Sequence, residues 1–334
     1  MPAKLCPIGF AVAALACPAL ADHAEEVLVT GSHDKRSIEI DDSLVISPDT
    51  AQLLKQAPGA NVNSNGPLTG IPQYRGMFGP RVAVSLDGTQ VAPSGPNWMD
   101  PPLSYATASQ LESLSVYRGI APVSVAQESI GGAVTARSQR GAFGSGDDFE
   151  LGGRVSASGQ SVNGGSQLGA AINGGNRHHR LHLSAMTESG DDAEFAGGEI
   201  LPTEYERQRI DAGYGFRSGG HTLQLNYSYN DTGEAGTPAL PMDIDYFEGD
   251  LYSVDYRFEI NSDLSVEARL YGSELDHGMT NFHLRQAPPP ARQRRNIASS
   301  DNLGFALVTD WRDASGSWVF GFDGFGSSHN SDID

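Results

Sequence analysis

Residues 74–90 read YRGMFGPRVAVSLDGTQ, and residues 111–134 read LESLSVYRGIAPVSVAQESIGGAV. These two stretches decide the fold, because each contains a short β-run that ends at a glycine turn. The runs Arg81–Leu86 and Leu111–Tyr117 are rich in valine, leucine and serine, and both are predicted to be strands. A compact region of short strands and tight turns is therefore expected here.

Glycine turns separate the predicted strands of this region. Glycine adopts positive φ and lets two backbones approach closely, so most residues at these turns are interpreted as structural. The turns are Arg75-Gly76, Asp87-Gly88, Arg118-Gly119 and Gly131-Gly132. The sequence leaves two interpretations open for the cations Arg75, Arg81 and Arg118. They either pair with carboxylates of a barrel wall around this region or are simply solvated.

The chain has 334 residues, enough for about two domains. Its net charge of -19 argues against nucleic-acid binding, which needs a basic surface. No metalloprotease, nucleophile-elbow or phosphate-loop motif occurs, so no enzyme activity is predicted. The sequence also has no run of about 18 apolar residues, so no helical membrane span is expected.

The N-terminus has the pattern of an export signal, predicted to span residues 1–21. Lys4 supplies a positive charge, Ile8–Ala16 forms a short apolar core, and Ala19-Leu20-Ala21 is a small-x-small cleavage site. Both cysteines, Cys6 and Cys17, lie inside this signal. The mature chain would then have neither a disulfide nor a thiolate zinc site.

The hydropathy pattern of the sequence changes after Gly141, where polar and apolar residues begin to alternate. In 252–260, Tyr252, Val254 and Tyr256 share one predicted face, while Ser253 and Asp255 take the other. Similar alternation recurs in 223–229, 264–270 and 318–322. Strands with one apolar and one polar face fit either a soluble sandwich or a membrane barrel.

The lengths of the connections favour the barrel. Short turns are predicted at 173–176, 217–220, 261–262 and 313–316, and long connections at 188–204, 231–249 and 276–300. Strict alternation of short turns and long loops is typical of outer-membrane barrels. About nine strands fit between 148 and 326. That is too few for an outer-membrane barrel wide enough to hold another domain in its lumen, which has about 22 strands. The sequence is therefore interpreted as an N-terminal fragment, with a small independent barrel as the alternative.

In order, the turns and strands of 74–134 resemble the plug domain of the TonB-dependent outer-membrane receptors. The resemblance implies a mainly β protein with a small α+β part, in which an N-terminal plug (47–141) precedes the first strands of a transmembrane antiparallel barrel (142–334). Residues 22–46 would then be a linker that carries the TonB box. That box matches Glu26, Val27, Leu28, Val29 and Thr30, and it would bind the TonB energy-transducing complex by adding a strand to its sheet.

Two further segments resemble the TonB-dependent copper receptors. They are the predicted plug loop Pro96–Pro102 and the predicted barrel loop Asp276–Arg285. The resemblance assigns metal binding to Met99, His277 and Met279, with no required cofactor and copper as the candidate cargo. It also places Gly95 where the copper group has a cysteine ligand.

The missing cysteine leaves the cargo open. A Met/His/Met set is chemically suited to Cu(I), but the same scaffold could import another substrate. The alternatives are a receptor for a ferric siderophore or another small molecule, and an adhesin or passive pore built on a barrel. In each case the expected location is the cell outer membrane, with lipid around the strands.

Overall fold

The computed structural model describes residues 35–40, 47–95, 98–126 and 129–333. The predicted signal (1–21), the predicted TonB box (Glu26–Thr30) and residues 96–97 of the predicted plug loop lie outside the described residues. Within the described part, no helix is both long and apolar enough to cross a membrane.

Nineteen strands and five short 3-10 helices form the described part of the chain. The strands are β1 (Lys35–Glu39), β2 (Ala60–Ser64), β3 (Gly70–Tyr74), β4 (Met77–Phe78), β5 (Ala83–Leu86), β6 (Thr89–Gln90), β7 (Leu111–Tyr117), β8 (Ala133–Ser138), β9 (Glu150–Gly159), β10 (Ser166–Gly175), β11 (His179–Gly190), β12 (Ala193–Phe195), β13 (Gly198–Ile200), β14 (Tyr205–Ser218), β15 (His221–Ala235), β16 (Asp243–Glu259), β17 (Leu264–Thr280), β18 (Arg295–Asp313) and β19 (Gly316–Ile333). The 3-10 helices are Thr50–Gln56, Gly79–Arg81, Pro102–Tyr105, Ala108–Gln110 and Pro290–Arg292.

Two small sheets and the first four helices build the N-terminal region, which we define as residues 35–141. The larger sheet has the order β1-β7-β8-β5-β6, with β5 and β8 parallel, and β2, β3 and β4 form the second sheet. Strand β7 has the predicted bounds. The other predicted strand begins two residues late, at Ala83, because Gly79–Arg81 turns as a 3-10 helix.

The predicted helix after Ser47 forms as the 3-10 helix Thr50–Gln56. Asp49 caps it, because its side chain accepts a hydrogen bond from the backbone N–H of Ala51 at 3.0 Å. Leu54 on this helix is fully buried, as are Leu103 and Leu114 on other elements of the region. One apolar core therefore joins the helix to both small sheets.

The strands after Gly141 form a single nine-stranded antiparallel sheet, which we call the wall. Its order is β19-β18-β17-β16-β15-β14-β11-β10-β9, so each strand pairs with its neighbour in the chain, with the small hairpin β12–β13 inserted between β11 and β14. The number of strands agrees with the nine expected from the alternation. Two to four residues link the strands at one end of the wall, whereas six to fourteen residues separate them at the other.

The strands run further into the long connections than the sequence predicted. Strand β17 continues to Thr280 and β18 begins at Arg295, so the predicted connection 276–300 shrinks to 281–294. His277 and Met279 therefore lie on a strand and not in a loop. The reason is pairing: β17 keeps hydrogen-bonding partners on both sides up to Thr280.

The two faces of the wall differ as the alternation predicted. Tyr252, Val254 and Tyr256 are about 40 % exposed on the outer face, while Ser253 and Asp255 are buried on the inner face. The inner face packs against the N-terminal region. Gln110 donates to Ser184 Oγ at 3.0 Å, and Ser300 donates to the carbonyl of Ala92 at 2.8 Å.

Two glycines of the predicted turns differ in how closely they are packed, which gives a test of their role. Gly76 and Gly132 both have positive φ, at 77° and 98°. A Cβ on Gly76 would meet open space, whereas one on Gly132 would lie 2.5 Å from the carbonyl oxygen of Tyr117.

We expect Gly76→Ala to lower the free energy of unfolding by about 1–2 kcal/mol, the cost of the left-handed backbone. Gly132→Ala should cost about 1–3 kcal/mol more, because the clash adds to the backbone strain. Denaturant unfolding of the detergent-solubilised chain measures both changes. Equal losses in the two variants would show that close approach at Gly132 is unimportant.

Candidate functional site

A buried carboxylate organises the loop that faces the long connections of the wall. Asp100 is fully buried and accepts hydrogen bonds from the Ser94 backbone N–H at 2.6 Å, the Ser94 hydroxyl at 2.8 Å and the Tyr105 hydroxyl at 2.8 Å. The Gly95 N–H donates to its other oxygen at 3.2 Å. These donors hold Ser94, Gly95 and Tyr105 around the carboxylate.

Tyr105 lies in the same buried environment as Asp100. Its pKa is raised well above the usual value, first by burial and then by the negative charge of Asp100. Its ring also packs edge-on against Phe247 of β16, with the ring centroids 5.4 Å apart. The ring of Tyr105 therefore joins this part of the N-terminal region to the wall by an apolar contact.

His277 lies directly against this loop. It is only 2 % exposed, and its Nδ1 is 3.7 Å from Asp100 Oδ1. A Cβ built on Gly95 would stand 3.4 Å from the same Nδ1, which is ordinary van der Waals contact. The other ring nitrogen, Nε2, is buried without a hydrogen-bond partner in the part of the chain that the structure describes. A buried, unpartnered imidazole nitrogen is costly and is therefore a reason to expect a ligand.

The two candidate methionines belong to the same apolar cluster. Met279 follows His277 by two residues on β17, so it lies on the same face of the strand, and it is buried. Met99 is partly buried and packs against the cluster that contains Met279. The tertiary structure thus brings Gly95 against His277, although the two are about 180 positions apart in sequence, and it places both thioethers in or against one large apolar cluster.

A buried arginine joins the wall to the N-terminal region elsewhere. Arg207 of β14 is 1 % exposed and forms an ion pair with Glu188 of the neighbouring strand β11. Its guanidinium also donates to the carbonyls of Ser104 at 3.1 Å and Pro48 at 2.7 Å. The second carboxylate oxygen of Glu188 accepts a hydrogen bond from Gln167 at 2.9 Å. Every charge in this buried link is therefore paired.

No motif in the sequence points to Arg207. Alternation along the strand is the one signal that could have identified it. Buried residues alternate with exposed ones in β14, which places Arg207, Arg209 and Asp211 on the inner face. Charged residues at inward positions of a predicted barrel strand are the ones that can contact whatever fills the barrel.

The comparison with protein families identifies the N-terminal region. The family model described as "TonB-dependent Receptor Plug Domain" matches residues 39–133. The chain carries the plug domain of a TonB-dependent receptor. We therefore call the N-terminal region the plug.

Solved structures of receptors share the combined fold of plug and wall. A structure titled "Copper transporter OprC" is 26 % identical to the chain, covers 90 % of it with a TM-score of 0.79, and has 47 % of its own length matched. A mutant of the ferric enterobactin receptor PfeA from Pseudomonas aeruginosa is 17 % identical, with 87 % and 48 % covered and a TM-score of 0.64. The siderophore receptor PirA from Acinetobacter baumannii is 12 % identical, with 88 % and 48 % covered and a TM-score of 0.66.

The chain thus spans about half the length of these solved receptors. The matches to PfeA and PirA establish the fold alone. The search of curated proteins found no match to the chain.

In the part of the chain that the structure describes, two of the predicted plug arginines, Arg75 and Arg81, form no ion pair with the wall. Arg75 is exposed and lies over the ring of Tyr74 at 5.3 Å, and Arg81 is also exposed. Within the described residues neither has a carboxylate partner, so the reading in which these two pair with the wall is not supported. Arg118 is partly buried just after β7. It is the wall that supplies arginines to the plug: besides Arg207, Arg154 donates to the carbonyl of Ser109 at 2.8 Å.

The Asp87-Gly88 turn lies at the contact between plug and wall. Burial alone would raise the pKa of Asp87, but the adjacent Arg140 cation and hydrogen bonds from Ser138 lower it. Gly88 has positive φ and faces Arg269 of β17, whose guanidinium occupies the space that a Cβ would take. The positive φ favours glycine here, and a Cβ would also require the end of the Arg269 side chain to move.

Two other predicted turn glycines have different surroundings. A Cβ on Gly131 would lie 2.5 Å from the carbonyl oxygen of Arg81, so the backbones approach closely there. Gly119 has a φ of 76° but faces open space.

The buried Arg207–Glu188 pair predicts a large effect of removing one partner. Arg207→Met would leave the Glu188 charge buried and should lower the free energy of unfolding by about 3–5 kcal/mol. Adding Glu188→Leu should restore part of this loss, because the orphaned charge is then gone. Denaturant unfolding of the solubilised chain measures both variants.

Arg177→Met is the matched control for this test. Arg177 pairs with Asp147 at 2.5 Å, but both side chains are exposed, and such pairs contribute at most about 1 kcal/mol. If Arg207→Met were no more costly than Arg177→Met, the buried pair would not stabilise the assembly of plug and wall.

Proposed function

We propose that the protein to which this chain belongs is an outer-membrane receptor that imports a small substrate past its plug, with copper as the favoured cargo. One observation carries the choice of cargo: His277 is buried against Gly95, its Nε2 has no hydrogen-bond partner among the described residues, and buried Met279 lies on the same face of β17. The likeness to a solved structure titled as a copper transporter supports the same choice.

The chemistry of these donors favours the reduced ion. Imidazole and thioether are intermediate to soft ligands, so they suit Cu(I) better than hard cations such as Mg²⁺ or Ca²⁺. His277 is only 2 % exposed, so water is largely excluded, and an ion of low charge is less costly to desolvate than a divalent one. Gly95 contributes no donor atom, so Met99, His277 and Met279 form the proposed ligand set.

Energy for import would come from the periplasmic side. The proposed TonB-binding segment is Glu26–Thr30, which would offer a free strand edge to the partner. Strand β1 follows it in the chain and lies at the edge of the larger plug sheet, paired only with β7. An edge strand can be detached one residue pair at a time, so a pull on the N-terminus would reach β1 before the core of the plug.

The outer face of the wall fits a lipid environment. Tyr252, Val254 and Leu270 are exposed there, whereas the inner face carries charged and polar groups that contact the plug. An apolar outside and a polar inside are the features of a transmembrane barrel.

A receptor for a ferric siderophore is the second candidate. The observation in its favour is Gly95, because this position lacks the thiolate that would bind copper most strongly. The titrations below separate the two candidates, since a siderophore receptor has no reason to bind Cu(I) at His277.

The first experiment is a titration of the solubilised chain with Cu(I) in competition with a chelator. We expect one bound ion, and we expect Met279→Ala to weaken binding about tenfold or more, a change of at least about 1.4 kcal/mol. Gly95→Cys should strengthen binding, because its Cβ fits beside His277 and its thiolate adds a soft donor.

Met77→Ala serves as the control, because Met77 is also partly buried against the plug core but is assigned no role in binding. Negligible binding by both the wild type and Gly95→Cys would overturn the copper proposal and leave the siderophore reading.

Transport is tested in cells with the full-length gene. Deleting Glu26–Thr30 should abolish energised uptake of the substrate while leaving the amount of receptor in the outer membrane unchanged. Uptake that is unaffected by the deletion would instead indicate a passive pore, and cell adhesion without any uptake would indicate an adhesin.

A further inference from the structure

A second group of metal-ligand side chains lies beside the long connection that follows β17. Glu234, Asp245 and His283 each offer one ligand atom, and these atoms all lie within 4.8 Å of one another. We call these three residues the rim cluster. His283 follows the strand that carries His277, but its contacts are with Asp245 and Glu234 and not with the buried His277 site.

The distances within the rim cluster are short. His283 Nδ1 is 2.7 Å from Asp245 Oδ1 and 3.4 Å from Glu234 Oε1. Metal bonds of about 2.0–2.2 Å to nitrogen and oxygen require donor atoms about 3–4 Å apart, so small rotations of the side chains would suffice. Glu234 and His283 are exposed, which leaves the cluster open to an ion arriving from solvent.

Asp245 forms a β-bulge in strand β16. The register of β16 against β17 shifts between Ile244 and Tyr246, so Asp245 is an extra residue without a partner on β17. Such bulges redirect a side chain and are frequent next to functional sites. Here the bulged residue contacts both His283 and Arg295, whose guanidinium is 3.0 Å from Asp245 Oδ2.

The charges around the rim cluster favour a cation. Arg295 offsets one of the two carboxylates, so apart from His283 the group carries one net negative charge. Nearby, burial and the carboxylates of Asp192 and Glu234 raise the pKa of Glu204, which reports a negative field. A bound divalent cation would relieve this repulsion.

We propose that Glu234, Asp245 and His283 form an exposed site for a divalent first-row transition ion. One nitrogen and two carboxylate oxygens suit Zn²⁺ or Cu²⁺ and differ from the thioether donors proposed for Cu(I) at His277. On binding, the ion replaces the hydrogen bond between His283 and Asp245. This site does not depend on the proposed function, because it uses different residues and a different oxidation state.

The test is calorimetric titration of the untagged, solubilised chain with Zn²⁺, which has no redox chemistry. We expect one saturable site in the wild type. His283→Asn and Asp245→Asn should each weaken it about tenfold or more, the scale on which changes at a metal site act. Arg295→Gln should strengthen it several-fold, because the substitution frees Asp245 Oδ2 and removes a competing cation.

Two controls make the result specific. His329→Asn and His221→Asn each remove another exposed imidazole, and neither should change the affinity for Zn²⁺. Failure of the copper titration with retained Zn²⁺ binding would leave the rim site standing. Absence of saturable Zn²⁺ binding in the wild type, or equal affinity in His283→Asn, would overturn it.

Discussion

The buried guanidinium of Arg207 is the contact on which the assembly of plug and wall depends. A charge can be taken out of water only if it is paired and its hydrogen bonds are satisfied. Arg207 meets that condition with groups from both parts: Glu188 belongs to the wall, while the carbonyls of Ser104 and Pro48 belong to the plug. Moving the plug would break these bonds and expose the pair, so the position of the plug is strongly determined.

The same link supports the candidate copper site. Ser104 lies on the 3-10 helix Pro102–Tyr105, and the next residue, Tyr105, donates to Asp100. Asp100 in turn holds Gly95 and lies near His277. The contacts of Arg207 and the candidate copper site are thus linked through the adjacent residues Ser104 and Tyr105. Under the proposed function, a pull that released Arg207 would therefore also disturb the surroundings of a bound ion, and movement of the plug would be coupled to its release.

The two proposed metal sites have opposite character and lie near the same connection of the wall. His277 is buried, with buried Met279 on the same face of β17, whereas His283 is exposed beside two carboxylates. The difference follows from position: His277 faces inward on a paired strand, and His283 comes three residues after that strand ends. Burial and sulfur donors select a soft monovalent ion, and exposure with oxygen donors selects a divalent one.

The sequence by itself determined the elements of the fold. Strict alternation of polar and apolar residues predicted the wall strands and their faces, because side chains alternate on a strand whatever it packs against. Glycine turns predicted the ends of the plug strands for the similar reason that positive φ is a local property. The resemblance also selected His277 and Met279. It placed them in a loop, whereas in the structure they lie on the paired strand β17.

Only the tertiary structure decided which distant groups meet. The contacts of Gly95 with His277, of Arg207 with Pro48 and of Asp245 with His283 depend on how the plug fits the wall and where strands bulge, and no local pattern encodes these relations. Parity could place Arg207 on the inner face, yet it could not select the carbonyls that Arg207 binds, nor exclude Arg75 and Arg81 from that role. Those choices follow from packing and desolvation, which act between segments that the sequence keeps far apart.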